Sequence, residues 1–113
     1  VWAKGVGGHG PRGKFTVKIE KPEHPITKGL SDFEMDDELY AKLSGDAGIE
    51  VLASAKSDWS GKVEPIVFTK TYGKGRVVHN VLGHDTRAQE NESYRKLICR
   101  GVEWAATGTV TVD

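Results

Sequence analysis

Two adjacent residues, His84 and Asp85, carry the clearest chemical signal in this chain. They follow the β-prone run Arg76-Val77-Val78-His79-Asn80-Val81-Leu82 and the glycine Gly83. An imidazole takes or gives a proton near neutral pH, and a neighbouring carboxylate can orient it. The pair therefore reads as a catalytic acid or base with its orienting group. Ligand sites in open α/β sheets favour loops at strand ends, which is where this pair falls. The structural alternative is that His84 caps the next helix or bonds a loop carbonyl.

A second cluster is Asp36, Asp37 and Glu38 with Tyr40. Carboxylates accept sugar hydroxyls, bind a divalent cation or act as a base, and an aromatic ring can stack on a sugar face. Asp37, Glu38 and Tyr40 are candidate substrate contacts. The alternative is the charged first turn of a helix, where the dipole favours acids. His9 sits among glycines and has the freedom to reach a ligand, so it joins the candidate substrate contacts. His24 precedes Pro25 in a connector and reads as a structural hydrogen-bonding residue. His79 lies inside a strand and reads as packed or edge-facing. His9, His84 and Glu38 do not have the spacing of a compact zinc motif, and no metal site is assigned. Gly73-Lys74-Gly75 joins two strands and lacks the helix N-terminus that a phosphate loop needs.

The elements that must position these groups belong to one domain, residues 1–113. Sixteen basic and sixteen acidic residues cancel, which argues against nucleic-acid and polybasic membrane surfaces. The sequence contains no apolar run long enough to span a bilayer. Cys99 is the only cysteine, so no internal disulfide forms, and its place beside Leu97 and Ile98 predicts a buried, inert thiol.

Residues 1–13 are glycine-rich and read as a loop. Phe15, Val17 and Ile19 alternate with polar residues, the period of a half-buried strand. Ser31 with Glu34 fits a capping box and predicts a short helix, with Leu39 and Leu43 on one face. A second strand is expected over Ile49–Ala55, with Leu52 opposite Val51 and Ala53. Residues 65–72 and 76–82, joined through Gly73-Lys74-Gly75, predict an antiparallel hairpin. Tyr94, Leu97, Ile98, Gly101, Val102 and Ala105 form one apolar stripe on a helix over about 88–106, with Gly108 as its stop. Residues 109–113 form a β-prone tail. No long apolar run marks a strand buried on both faces.

Several pieces, in order, resemble one family. Gly7-Gly8, Phe15-Thr16-Val17, His24-Pro25-Ile26 and Gly29-Leu30 resemble the middle of a ThuA-like (trehalose utilisation) domain. Asp37-Glu38-Leu39-Tyr40 is similar to its acidic-aromatic segment. Pro65-Ile66-Val67, Tyr72-Gly73-Lys74-Gly75-Arg76-Val77 and Leu82-Gly83-His84-Asp85 resemble its hairpin and following turn, and Gly101–Ala106 its closing helix. The resemblance implies an α/β fold, a flavodoxin-like, class I glutamine-amidotransferase-like layered sheet. Here it would be truncated at the N-terminus and end in an antiparallel hairpin and closing helix. It implies a partner as well, the N-terminal half of the same domain. In glutamine amidotransferases a nucleophilic cysteine sits on a central turn of that half; Cys99 does not match it. The implied function is carbohydrate metabolism on trehalose or a related glycoside, oxidised forms included, with a small-molecule sugar as substrate. The alternative is a non-catalytic module of the same fold that binds carbohydrate or protein.

Overall fold

The computed structural model describes residues 8–9, 11–41, 48–58, 60–83 and 86–112. The elements run β1 (Gly8–His9), β2 (Gly13–Ile19), β3 (Phe33–Asp37), β4 (Tyr40–Ala41), β5 (Glu50–Lys56), β6 (Val63–Tyr72), β7 (Gly75–Asn80), α1 (Thr86–Gln89) and α2 (Glu92–Thr107). Five strands make one curled sheet in the order β3-β2-β5-β6-β7, and β1 pairs with β4 in a separate ribbon. Every described ladder is antiparallel. The fold is α/β, with one long C-terminal helix. No helix among the described residues is long and apolar enough to cross a membrane.

Alternation in β2 holds as expected, with Val17 fully buried. The hairpin also holds: Tyr72 faces Gly75, and Gly73 takes the positive φ of 59° that the turn demands. The short helix expected after Ser31 is instead strand β3. Its cross-strand pairing with β2, from Val17↔Phe33 to Gly13↔Asp37, buries Met35 against the core. Neighbouring Asp32 directs its carboxylate to the Ile19 N–H (2.8 Å), so this polar stretch ties down β2 instead of starting a helix. Five paired residues and a buried Met outweigh one potential cap. The rest of the expected helical face, at Leu43, lies outside the described residues.

β5 departs from simple alternation. Leu52, Ala53, Ser54 and Ala55 are all buried, and the register against β6 shifts twice, between Val51 and Ala53 and between Ala53 and Ser54. Such bulges bend a strand and sharpen its twist. Small residues let both faces be covered without a long apolar run, contrary to the expectation from sequence.

The closing helix is broken. α1 stops at Gln89, and Asn91, in extended conformation, caps α2 by accepting the Tyr94 N–H (3.0 Å). Gly108, at φ 80°, ends α2 and donates to Trp104 O (2.7 Å). Leu97 and Gly101 are buried; a Cβ on Gly101 would stand 3.3 Å from Val78 Cγ1, so glycine sets how closely α2 approaches β7. Cys99 is exposed, contrary to expectation. It lies about 200° around the helix from both Leu97 and Gly101. Residues 109–112 form no strand either; Glu103 draws them in by accepting from the Thr111 N–H and Thr111 Oγ1.

The connector before β3 docks on α2. Ile26 and Thr27 are fully buried, and Arg100 Nη1 donates to Ile26 O (3.2 Å) and Lys28 O (2.9 Å). His24 Nδ1 accepts the Ile26 N–H (3.1 Å), Nε2 lies 3.6 Å from Glu50, and the ring packs 5.3 Å from Trp104. Burial lowers its pKa below 6.5, against the pull of Glu50 and Glu23. His24 is thus the structural residue the sequence suggests. His79 is exposed and stacks on Phe68 with ring centres 4.7 Å apart.

Candidate functional site

Asp37 ends β3 and is fully buried. A carboxylate withdrawn from water is costly unless donors surround it. Asp37 Oδ1 accepts the N–H of Glu38 (2.8 Å), and Oδ2 accepts the N–H of Gly83 (2.6 Å), 46 residues away in sequence. This second bond fastens the turn after β7 to the end of β3. Charge-assisted bonds of this kind are roughly twice as strong as neutral ones.

Three further contacts hold the same turn. Asn80 Oδ1 accepts the Leu82 N–H (2.9 Å), and Gln89 Nε2 donates to Gly83 O (3.1 Å). The ring of Tyr94 lies directly against Gly83, where an added Cβ would sit 2.7 Å from Cζ. Gly83 also has φ 93°, a conformation that side chains resist. Burial raises the Tyr94 pKa above 10, and the Asp37 charge adds to the effect. The Tyr94 phenol therefore stays protonated beside the carboxylate.

The ribbon completes this end of the sheet. His9 and Tyr40 are cross-strand partners in the β1–β4 pair, three residues along from Asp37. Arg12 anchors the approach to β2 by donating from Nη2 to Asp36 O (2.9 Å), with Nε 3.3 Å from Asp36 Oδ1. Arg12, Lys14, Asp37, Leu39 and Lys56 line a cavity of about 210 Å³. A wider, shallow concavity of about 740 Å³ involves Glu20, Glu50, Ser54 and Pro65. It shares no lining residue with the first and contains none of the candidate residues, so its size gives it no claim to the chemistry.

The fold thus gathers His9, Asp37, Glu38 and Tyr40 at one end of the sheet by backbone position. His84 and Asp85 lie outside the described residues. The chain enters them from Gly83, which is bonded to Asp37. Asp37 is placed as the anchor of that turn, and each of its carboxylate oxygens accepts a backbone N–H. Among the described residues, no group of His, Cys, Asp and Glu side chains is arranged to hold a metal ion.

Sequence reasoning passed over Tyr94, Gln89 and Arg12. Tyr94 read as one member of an apolar stripe, and nothing in its spacing shows that its ring faces Gly83. Asp37 could have been recognised as an inward position, since it continues the alternation of Phe33 and Met35.

Comparison with known proteins gives a consistent result. A family model described as trehalose utilisation (ThuA) matches residues 2–105. A crystal structure of a ThuA-like protein from Parabacteroides merdae is similar, with 34% sequence identity and a TM-score of 0.88. The likeness covers 99% of this chain and 48% of that one, so this chain spans about half the length of that relative. No curated protein matches the chain.

Proposed function

We propose, from the premise that this chain belongs to the ThuA (trehalose utilisation) family, that it acts in carbohydrate metabolism on trehalose or a related glycoside, oxidised forms included. His84 serves as general acid or base, and Asp85 orients its imidazole. Glu38, Tyr40 and His9 contact the sugar. Asp37 supports them from beneath by holding the turn that delivers His84. The observation that carries this reading is the Asp37–Gly83 bond, which joins the acidic segment to the His84 turn across 46 residues. The layered flavodoxin-like, glutamine-amidotransferase-like architecture belongs to the same proposal. So does the placing of residues 1–113 as the C-terminal part of one such domain; the P. merdae relative, about twice as long, supports it.

The test is His84→Ala in the complete protein, assayed with trehalose and its oxidised derivatives. Turnover is expected to fall about 10²- to 10⁴-fold. The melting temperature should hardly move, because the bond from the Gly83 N–H to Asp37 is left intact by this change. Undiminished turnover would remove His84 from the chemistry. Sugar binding without turnover in the unaltered protein would assign this surface to the binding-module alternative.

A further inference from the structure

The cavity of about 210 Å³ with Asp37 in its wall is built from two strand ends. Gly13 opens β2 opposite Asp37, and Lys56 closes β5, followed by Ser57 and Asp58. Phe15 and Leu39 give it an apolar side. Three of its charged side chains are already engaged. Arg12 lies against Asp36 and Lys14 against Glu34, and each Asp37 oxygen accepts a backbone N–H. The remaining polar groups are few and mixed. Among the described residues, the Lys56 ammonium and the Asp58 carboxylate have no ion-pair or hydrogen-bond partner. Ser57 is 2% exposed; its Oγ accepts the Ser60 N–H (3.1 Å), and its hydroxyl proton is given to no described residue. A buried donor without an acceptor is costly, so this hydroxyl is poised for one that enters the cavity.

We infer that this cavity is the subsite for one uncharged sugar ring, with Lys56 and Ser57 donating to its oxygens and Asp58 accepting from one of its hydroxyls. The choice of a sugar rests on the reading above, in which Asp37 holds the turn that delivers His84. One ammonium, one carboxylate and one hydroxyl sum to no net charge. Together they both give and take hydrogen bonds, as neighbouring hydroxyls on a sugar do. A carboxylate or phosphate on the ring would instead meet Asp37 and Asp58, while Arg12 and Lys14 are drawn to acids outside the lining. At about 210 Å³ the space falls below the roughly 300–1,000 Å³ of pockets for drug-sized ligands, so it takes a single ring and leaves the rest of a glycoside outside.

The test titrates the complete protein with methyl α-glucoside, glucuronate and glucose 6-phosphate, and follows the backbone amides of Gly13, Lys56 and Ser57 by NMR. The glucoside should shift these amides, and the two anionic sugars should bind at least about tenfold more weakly. Lys56→Met should weaken the glucoside about tenfold, the worth of one hydrogen bond to a charged group, with the melting temperature unchanged. Asp58→Asn should narrow the preference over glucose 6-phosphate, which a purely structural role would not do. Three results would each overturn the inference: no shift at these amides with the glucoside, equal or tighter binding of an anionic sugar, or indifference to Lys56→Met. Because binding is read without turnover, failure of the His84 chemistry and failure of this subsite are separate results.

Discussion

Two loops in this molecule are pinned by buried or half-buried polar side chains, and the pins have opposite character. The turn at Gly83 is held by a carboxylate, Asp37, with a protonated phenol beside it. The connector at residues 24–28 is held by nitrogen-bearing side chains: the His24 imidazole accepts the Ile26 N–H, and the Arg100 guanidinium donates to two carbonyls. The connector also drives Ile26 into the core, so apolar burial shares the load. The Gly83 turn has less of this support: Leu82 is buried, and the turn is otherwise fastened by the hydrogen bonds to Asp37 and Gln89. A loop anchored by hydrophobic burial is scaffold. One anchored mainly by directed hydrogen bonds depends on the few donors and acceptors that make them.

The sharpest way to break the comparison is Gly83→Ala. It combines an unfavourable backbone angle with overlap against Tyr94 and is expected to destabilise by about 3 kcal/mol. Denaturant unfolding would measure this, and a loss under 1 kcal/mol would show that the turn relaxes freely. Asp37→Ala follows, at about 2 kcal/mol, because it strands the Gly83 and Glu38 N–H groups. Asp37→Asn should recover most of that stability yet still lower turnover, since a neutral acceptor holds the turn less firmly. Equal activity in wild type and Asp37→Asn would reduce Asp37 to a structural residue.

The smallest expected effect is in pH. The folded pKa of His24 is below 6.5, so the unfolded chain binds its proton more readily. Stability contributed by neutral His24 is complete above pH 6.5 and is lost as pH falls from there through the lowered pKa. His24→Asn keeps an acceptor for the Ile26 N–H and removes the titration. Its acid-side loss should be visibly shallower in melts taken between pH 4 and 7; an identical pH profile would show that other groups dominate.

Much of this was legible in the sequence where local chemistry decides. The hairpin, the Gly108 stop and the alternation of β2 follow from turn residues and period. The family resemblance, confirmed across residues 2–105, rests on those same ordered pieces. The strand at Phe33–Asp37 was hidden because Ser31 and Glu34 imitate a cap, and only pairing with β2 shows the outcome. The break at Asn91 was hidden because the apolar stripe runs on regardless of where the cap falls. The contact between Asp37 and Gly83 spans too much sequence for any periodicity to reveal. The exposure of Cys99 turned on which part of a broad stripe faces the sheet.

Asn91 serves two masters. Its Oδ1 caps α2, and its Nδ2 donates to Glu34 O on β3, 3.1 Å away. Helix start and acidic strand are thereby welded into one mechanical unit, with the Gly83 turn clasped between Asp37 on one side and Tyr94 on the other. A tug on that turn from a bound molecule would be felt by helix and strand as a common load, and neither could yield to it alone.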